Sequence, residues 1–370
     1  MVIHLFHDEK VVNRAIELFE KALPGKNIYI CFYREKLRFV KLHERIVLCP
    51  MEKPEVNPEI FKGVEKIIIH YLTIEKVHFV NKYISNNIPC YWFLWGADLY
   101  NTFLIQRGYQ IFYKKSELGF VYNLKILIKT ILNKLGYKSY EEKLLLSFIK
   151  GRITFIMTGA DYNVAQKYIG EYIRGKQLTG FNYYPIDTVL GELKDKKVQG
   201  NAIWIGNSAS YTNNHLYAFE YLSRFNIDNR KVIMPLSYGG TKKYVKNQIK
   251  RGEMKWHNNY VPLLNYLPLD KYNELLLSAE HFIFSSWRQE AVGNILIALY
   301  LGGKVFLSEK SPILNYFRNM GLSIYSLEKM TQEDLDTKLD DNLINLNRKI
   351  INDKYNEKVV VDKIKRFWLS

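Results

Sequence analysis

Short segments rich in Gly, Ser and Asn follow apolar runs at three places in the second half of the chain. In the first, the run Ala202–Ile205 ends in Gly206, Asn207 and Ser208, and we predict a helix from about Thr212. Free backbone amides at a helix N-terminus, together with serine hydroxyls, suit a diphosphate. A strand-to-helix turn with a polar cap needs the same residue types, so this segment alone leaves both interpretations open.

The other two segments repeat the arrangement. Ser237, Tyr238 and Gly239 follow a second predicted strand, and glycine there lets a ligand approach the backbone closely. Arg288 and Glu290 follow a third, where the guanidinium can pair with a phosphate and the carboxylate can accept both hydroxyls of a ribose. Each segment is weak evidence alone, but three such loops in one domain favour a nucleotide diphosphate site.

A base for an acceptor hydroxyl is predicted in the first half of the chain. Asp98 lies near the aromatic side chains Trp95 and Tyr100, and a carboxylate in such surroundings can have a raised pKa and accept a proton. An aspartate that only caps a helix over an aromatic core has the same sequence neighbours, so that alternative stays open. Further candidates for the edge of the site follow the predicted strands of this half: His4, His7, Asp8 and His70.

Alternation of short apolar runs with helical patterns predicts the elements that position these residues. Five runs in the first half are predicted strands: Val2–Phe6, Ile28–Phe32, Ile46–Leu48, Ile67–Leu72 and Pro89–Leu94. Six more follow: Thr154–Met157, Ala202–Ile205, Lys231–Pro235, Val261–Leu263, His281–Phe284 and Lys304–Leu307. This alternation is typical of parallel sheets with helices on both faces, which bind ligands at the carboxyl ends of their strands.

The length of 370 residues and the 48% hydrophobic content are enough for two cores. We therefore predict an α/β protein with two Rossmann-like, doubly wound domains that face a cleft. Residues 1–175 form the acceptor-side domain and residues 176–345 the nucleotide-sugar domain. A charged C-terminal helix in residues 346–370 is expected to return to the first domain.

A net charge of +16 favours polyanionic partners, which include nucleic acid, anionic lipid and phosphate-bearing substrates. Three separated cysteines suggest neither a disulfide framework nor a zinc site, and no window is apolar enough to span a membrane. The start of the chain lacks the pattern of a signal peptide, so we expect a cytoplasmic protein. Asp334 and Asp336 have the spacing of a metal-binding pair but follow Thr331 in a predicted capping box, and we assign no metal.

The stretch Asn123–Lys138 has apolar residues at helical spacing, with Lys125, Lys129 and Lys134 elsewhere on its surface. Such a basic amphipathic helix can lie on an anionic membrane surface. A helix whose apolar stripe packs on the protein core, with its lysines in solvent, has the same pattern, and both interpretations remain open.

Four motifs in order resemble glycosyltransferase family 56, whose known activity is transfer of N-acetylfucosamine to a lipid-linked saccharide in enterobacterial common antigen synthesis. They are Trp95-Gly-Ala-Asp-Leu-Tyr100, Gly206-Asn-Ser208 with Asn213-Asn-His215, Pro235-Leu-Ser-Tyr-Gly239, and Arg288-Gln-Glu290. The resemblance covers most of the chain and is densest from about residue 200 to 310. One departure concerns the donor: Glu290-Ala291 stands where the enterobacterial type is expected to have Gln-Gly.

The resemblance implies a GT-B fold and a dTDP-sugar donor held by the second domain. It also implies an undecaprenyl-diphosphate-linked acceptor and a peripheral position on the cytoplasmic face of the inner membrane. Donor binding then falls to Gly206, Asn207, Ser208, Ser237, Tyr238, Gly239, Arg288 and Glu290, acceptor binding to His7, Trp95 and Tyr100, and catalysis to Asp98. We expect activity without a metal. Rival hypotheses are a nucleotide-sugar epimerase on the same fold and a nucleic-acid-binding protein, although the basic residues are not clustered around a recognisable reader motif.

Overall fold

The computed structural model describes residues 1–173, 175–178 and 182–369. The chain divides into two compact units. Unit 1 contains Met1–Tyr109, Lys129–Pro185 and Glu357–Ser370, and unit 2 contains Gln110–Ile128 and Ile186–Asn356. The division predicted at residue 175 thus falls inside unit 1, and residues 110–128, which we expected in the first domain, belong to unit 2.

A parallel sheet of seven strands forms the centre of unit 1. The strands are β1 Val2–His7, β2 Asn27–Tyr33, β3 Ile46–Pro50, β4 Lys66–His70, β5 Cys90–Phe93, β6 Ile153–Met157 and β7 Lys176–Leu178. They lie in the order β3-β2-β1-β4-β5-β6-β7. The helices of this part of the chain are α1 Val12–Ala22, α2 Ile74–Tyr83, α3 Ala97–Leu99, α4 Gly119–Lys134, whose residues 119–128 belong to unit 2, α5 Tyr140–Arg152 and α6 Asp161–Ile169.

Unit 2 is built on a second parallel sheet, of six strands. These are β8 Ala202–Ile205, β9 Val232–Pro235, β10 Tyr260–Leu263, β11 Ala279–Phe284, β12 Lys304–Leu307 and β13 Tyr325–Ser326, in the order β10-β9-β8-β11-β12-β13. Its helices are α7 Ile186–Leu190, α8 His215–Leu222, α9 Lys242–Trp256, α10 Leu269–Leu277, α11 Val292–Tyr300, α12 Pro312–Asn319, α13 Gln332–Asp336 and α14 Asp341–Tyr355.

All eleven predicted strands are present, with ends displaced by up to two residues. Their side chains are mostly apolar on both faces, as expected for parallel strands that helices cover on both sides. β7 and β13 were not predicted, because three and two residues are too few for a recognisable pattern. The predicted C-terminal helix is two helices, α14 and α15 Glu357–Leu369, separated at Asn356. Val360 and Ile364 of α15 are buried in the core cluster that contains α1, and Lys21 of α1 pairs with Glu357 at 2.5 Å.

The strand order reverses between β1 and β4 in unit 1 and between β8 and β11 in unit 2. At such a point the loops after the two neighbouring strands diverge to opposite faces of the sheet, which opens a crevice at the carboxyl edge. Each unit therefore has one such edge where ligands can bind, and the predicted site residues lie at these two places.

Candidate active site

The loop after β8, residues 206–214, begins at a glycine that the geometry requires. Gly206 has φ of +70°, and a Cβ there would lie 2.8 Å from Oδ1 of Asn213 and 3.0 Å from Nε2 of His215. Its carbonyl accepts a hydrogen bond of 2.8 Å from Nε1 of Trp204. A side chain at this position would therefore be strained and would also displace two buried groups beneath the loop.

Hydrogen bonds within the loop fix its shape. Asn213 Oδ1 accepts from the backbone N–H of Asn207 at 3.2 Å, and its Nδ2 donates to Oγ of Ser208 at 3.2 Å. Helix α8 starts at His215, three residues later than predicted. A 3-10 turn occupies Tyr211–Asn213, and Asn214 with φ of +48° separates that turn from the helix. The amides that we expected at one helix N-terminus are thus spread over a turn and the start of a helix.

The loop after β9, residues 236–241, packs backbone to backbone on the β8 loop. The N–H of Ala209 donates to the carbonyl of Tyr238 at 2.7 Å. A Cβ on Gly239 would lie 3.2 Å from the backbone nitrogen of Ser210, and one on Gly240 would lie 2.4 Å from the carbonyl oxygen of Ala209. The two glycines are needed for this close approach, and Tyr238 remains 44% exposed beside it.

The loop after β11, residues 285–291, joins the β8 loop through Glu290. Its Oε2 accepts hydrogen bonds from Oγ1 of Thr212 at 2.6 Å and Oγ of Ser286 at 3.1 Å, and Nε of Arg288 lies 3.4 Å away. Oγ of Ser285 donates to the carbonyl of Asn213 at 2.6 Å. Glu290 therefore holds two loops together, a structural role additional to the ribose contact that we predicted.

All eight predicted donor-binding residues thus lie on three loops at the carboxyl edge of the second sheet, where the β8 loop contacts each of the other two. Among the described residues, Oδ1 of Asn207 and Nε2 of His215 are buried in this cluster without a hydrogen-bond partner. His215 bonds Tyr244 through Nδ1 at 2.8 Å, and burial lowers its pKa to about 3, so the ring is neutral. Buried polar atoms without partners are costly, and a polar ligand bound at this cluster would supply partners for them.

A fourth loop adds a residue that our sequence analysis missed. Lys310 follows β12, the strand next to β11, and its ammonium group lies 3.6 Å from the ring centre of the buried Trp287. Burial lowers the pKa of Lys310, and the positive charge of Lys114 lowers it further. The signal was available, because Ser308-Glu-Lys-Ser311 is again a polar segment directly after a predicted strand.

In unit 1, the structure places Asp98 away from any open surface. Its side chain is 1% exposed. Oδ2 accepts hydrogen bonds from Nε1 of Trp92 at 2.7 Å and from the N–H of Leu72 at 3.0 Å. Oδ1 accepts a hydrogen bond from the N–H of Trp95 at 3.1 Å. Burial raises its pKa to about 6, although these hydrogen bonds oppose the change. A general base must reach the hydroxyl that it deprotonates. This environment favours a positioning residue that ties the loops after β4 and β5 together, not the catalytic base that we predicted.

Tyr100 is also a core residue and not the acceptor contact that we predicted, since it is fully buried and its hydroxyl donates to Asp161 at 2.5 Å. His4 and His70 are fully buried as well, and their rings are 3.1 Å apart, Nδ1 to Nε2. Burial lowers the pKa of His4 to about 3 and that of His70 well below its usual value, so both are neutral and structural. Tyr183 bonds His70 at 2.5 Å and links it to Nε1 of Trp95 at 3.0 Å.

His7 and Trp95, by contrast, line a cavity of about 780 Å³ at the carboxyl edge of the first sheet. Asp8 shapes it, because its carboxylate accepts from the backbone N–H groups of residues 38–40 at 2.5, 3.0 and 2.8 Å. Nδ1 of His7 is buried without a partner in the described part of the chain, and burial lowers the pKa of this ring to about 2. Charged side chains of both signs line the same cavity: the cations Arg34, Lys36 and Arg38, and the carboxylates of Asp8, Glu9, Glu35 and Glu75.

A second residue that we did not predict lies under this cavity. Lys76 is fully buried, and its ammonium group donates to the carbonyls of His70 at 2.5 Å and Tyr71 at 2.9 Å. Burial lowers its pKa to about 7, and the charge of Asp98 partly opposes that change. No local pattern distinguishes it from a solvated lysine on an amphipathic helix.

No group of three His, Cys, Asp or Glu side chains in the described residues is arranged to hold a metal ion. Thr331 and Asp334 form the predicted capping box of α13, and Asp334 also pairs with Lys304 at 3.1 Å. Asp334 and Asp336 are thus explained by helix capping and ion pairing. That activity needs no metal remains a prediction.

Comparisons with known proteins agree with this arrangement. The family model described as 4-alpha-L-fucosyltransferase, glycosyl transferase group 56, matches residues 155–357. Among solved structures, HepE of Anabaena, solved in complex with UDP, has a TM-score of 0.65 at 10% identity, with 100% of both chains covered. A glycosyltransferase of Rickettsia africae gives 0.60 at 12% identity, covering 99% of this chain and 97% of its own. Sucrose-phosphate synthase of Thermosynechococcus elongatus has a TM-score of 0.62 at 8% identity, with 100% of this chain and 98% of its own covered. The likeness confirms the predicted GT-B fold.

Proposed function

The chain belongs to glycosyl transferase group 56 and is a glycosyltransferase, and from this we propose that it takes its sugar from a nucleotide diphosphate donor held by unit 2. The observation that carries the proposal is the meeting of the loops after β8, β9 and β11 at the point where the strand order reverses. HepE, which shares the fold, was solved with UDP-glucose. Membership of a transferase family leaves the epimerase hypothesis without support.

The finer proposal is that the donor is a dTDP-linked deoxyamino sugar resembling N-acetylfucosamine. The family description names a fucosyltransferase, which supports a deoxy sugar. The acceptor that we propose is an undecaprenyl-diphosphate-linked saccharide of bacterial surface polysaccharide synthesis. Its polar part would bind in the cavity lined by His7 and Trp95, where Arg34, Lys36 and Arg38 would pair with the diphosphate and the carboxylates of the lining would accept hydrogen bonds from sugar hydroxyls. We propose no nucleic-acid partner.

Chemically, the enzyme has to stabilise the charge that develops on the departing nucleotide diphosphate. Backbone N–H groups of the β8 loop, the hydroxyls of Ser208 and Ser210, and the cations Arg288 and Lys310 are the groups that unit 2 offers. Arg288 is anchored by its ion pair with Glu290, at 3.4 Å, so its position is set before a ligand arrives. Preorganised donors of this kind stabilise a developing charge without reorganisation during the reaction.

The test is replacement of Arg288 by Ala, with calorimetric titration of dTDP, UDP, dTMP and thymidine. Loss of a charge-assisted hydrogen bond should weaken dTDP binding about 10- to 100-fold and leave thymidine binding unchanged. Arg224→Ala is the matched control, because Arg224 is an exposed arginine at the end of α8 that stacks on Tyr221. Equal losses for dTDP and thymidine would contradict a phosphate role, and tighter binding of UDP than of dTDP would contradict the proposed base.

A further inference from the structure

Helix α4 exposes its apolar side. The apolar face of α4, as we call it, comprises six side chains on the helix and the residue after it, each between 50% and 78% exposed: Phe120, Leu124, Leu127, Ile128, Ile131 and Leu135. They recur at the three- and four-residue spacing of one helix face. The sequence left two orientations open, and the structure selects the one in which the apolar stripe does not pack on the core.

The opposite side of α4, which faces the protein, is largely polar. Its buried atoms include the hydroxyl of Tyr122, Oδ1 of Asn123 and Oγ1 of Thr130, and none of the three has a hydrogen-bond partner in the described residues. Ile126 is the apolar residue buried there, at 6% exposure. Burial of apolar surface in the protein therefore does not account for this orientation. A contiguous exposed apolar face of this kind marks a surface that another apolar phase covers.

The charges around the face identify that phase. α4 contains Lys125, Lys129 and Lys134 and no acidic residue, in a chain of net charge +16; the side chain of Lys134 lies outside the described residues. Self-association through this face would bring two strongly cationic chains together, whereas an anionic lipid surface is complementary to it. Tyr137 and Tyr140, 65% and 74% exposed, follow the helix with the amphipathic rings that favour a membrane interface.

The length of α4 agrees with a position in the plane of a membrane. Sixteen residues make a helix roughly 24 Å long, shorter than the apolar core of a bilayer at about 30 Å. No described helix is long and apolar enough to cross a membrane. Gly136, with φ of +78°, ends the helix, which accounts for its termination before the predicted Lys138.

We infer that α4 lies in the surface of an anionic bilayer and inserts its apolar face at the boundary between head groups and acyl chains. This membrane contact deepens the proposed function and rests on it in one respect. The proposed lipid-linked acceptor lies in the membrane surface, and this is the reason for the enzyme to bind there. Insertion of apolar side chains holds the protein mainly through the hydrophobic effect, so binding should persist at salt concentrations that screen the lysines.

The test is vesicle flotation with mixed phosphatidylcholine and phosphatidylglycerol, at low and high salt. The full chain should float in both, and Leu124→Gln/Ile128→Gln/Ile131→Gln should lower its partition coefficient at least about tenfold. Leu42→Gln/Met254→Gln is the matched control, because these residues are 75% and 69% exposed and lie elsewhere on the surface. The control should float like the parent. Equal flotation of the triple variant and the parent would overturn the inference, as would complete release of the parent by salt.

A second measurement reports the environment of the face directly. The three native cysteines, Cys31, Cys49 and Cys90, are buried, so a cysteine introduced by Leu127→Cys can be labelled selectively with a polarity-sensitive fluorophore. Its emission should shift to the blue when vesicles are added, whereas the same label after Met254→Cys should not respond. A blue shift without vesicles that depends on protein concentration would show self-association and overturn the inference.

Transfer assays separate this inference from the proposed function. The triple glutamine variant should transfer sugar to a short-chain, water-soluble acceptor as the parent does and lose transfer to the acceptor embedded in vesicles. Flotation without transfer to any saccharide diphosphate would leave the inference standing and refute the proposed function. Loss of transfer to the soluble acceptor as well would show that α4 supports catalysis, against the inference.

Discussion

The carboxyl edges of the two sheets share a topology and differ in chemistry. Both sheets order their central strands in the same way and reverse between the first and fourth strand of the unit. The edge in unit 2 is lined by glycines, serines and asparagines, and its β8 loop bonds to the β9 loop through main-chain groups and to the β11 loop through Glu290. The edge in unit 1 carries aromatic rings, buried neutral histidines and the buried Asp98, with one cavity beside them.

This difference shows that strand order determines where a ligand can bind, while side-chain size determines what it meets there. In unit 2 the left-handed position directly after β8 is Gly206, which places no side chain at this edge. In unit 1 the left-handed position after β4 is Tyr71, with φ of +64°. That conformation costs a non-glycine residue roughly 1–2 kcal/mol. The first edge therefore presents side chains, and the second presents backbone.

The largest expected effect concerns the buried carboxylate of the first edge. Asp98→Ala leaves the donors of Trp92, Leu72 and Trp95 buried without an acceptor, and we expect a loss of about 3 to 5 kcal/mol in the free energy of unfolding of unit 1. Denaturant unfolding measures it, with Asp98→Asn as the isosteric control of smaller effect. Binding of dTDP to unit 2 should survive under native conditions. If Asp98→Ala is as stable as the parent but loses transfer activity, Asp98 is the catalytic base after all.

Both sheets contain buried, neutral histidines. The next largest effect that we expect is on the pH dependence of stability, through the histidine in the sheet of unit 2. Burial lowers the pKa of His281 in β11 to about 4, and the charges of Arg230 and Lys304 add to this, against a hydrogen bond to the carbonyl of Asp334. The pKa of His281 is lower in the folded than in the unfolded protein. Its contribution to the free energy of unfolding is therefore fully present above pH of about 6.5 and is lost as the pH falls towards 4. The loss at pH 5 is about 2 kcal/mol.

His281→Gln keeps a donor for Asp334 and does not titrate, so its loss of stability between pH 7 and pH 5 should be about 2 kcal/mol smaller than that of the parent. Thermal unfolding across this range measures the difference. Asp98, whose pKa is raised to about 6, acts in the opposite sense, and it is present in both proteins, so the comparison cancels it. Parallel pH profiles for parent and variant would show that His281 is not titrating.

A still smaller effect concerns Ala291, at the position where we expected the enterobacterial type to have glycine. This residue has φ of +60° at the N-cap of α11, a left-handed conformation that glycine adopts without strain. Ala291→Gly should therefore stabilise unit 2 by about 0.5 to 1 kcal/mol, because relief of the strain exceeds the added entropy of the unfolded chain. Chemical denaturation detects a gain of this size. A loss of stability would mean that the methyl group makes a packing contact worth more than the strain.

The smallest expected effect is that of chelation on transfer. With backbone amides, Arg288 and Lys310 proposed to stabilise the leaving diphosphate, prolonged treatment with EDTA should leave the initial rate unchanged. Loss of activity that manganese or magnesium restores would refute metal independence. It would also make the second edge the place to search for the metal ligands.

The sequence alone determined eleven of the strands, the parallel sheets they form and the positions of the three donor loops, because these depend on local patterns. Apolar runs, glycines at Gly206 and Gly239, and polar residues directly after each run are all visible without distant contacts. Lys310 carried the same signal and was overlooked. The meeting of the loops then follows, since the carboxyl ends of neighbouring parallel strands share one edge.

Only the tertiary structure decided the roles of Asp98, Lys76 and α4. Asp98 accepts from the N–H of Leu72, which lies 26 residues earlier, so that contact is not visible in the local sequence. Lys76 donates to the carbonyls of His70 and Tyr71, which are near in the chain, but the sequence does not show that this end of β4 is buried. The helical spacing of α4 defines which residues share its apolar face, but period alone does not say whether that face meets the core or the outside. The orientation of the helix depends on which of its sides the rest of the chain packs against. Here the protein packs on the polar side of α4 and leaves the apolar face exposed.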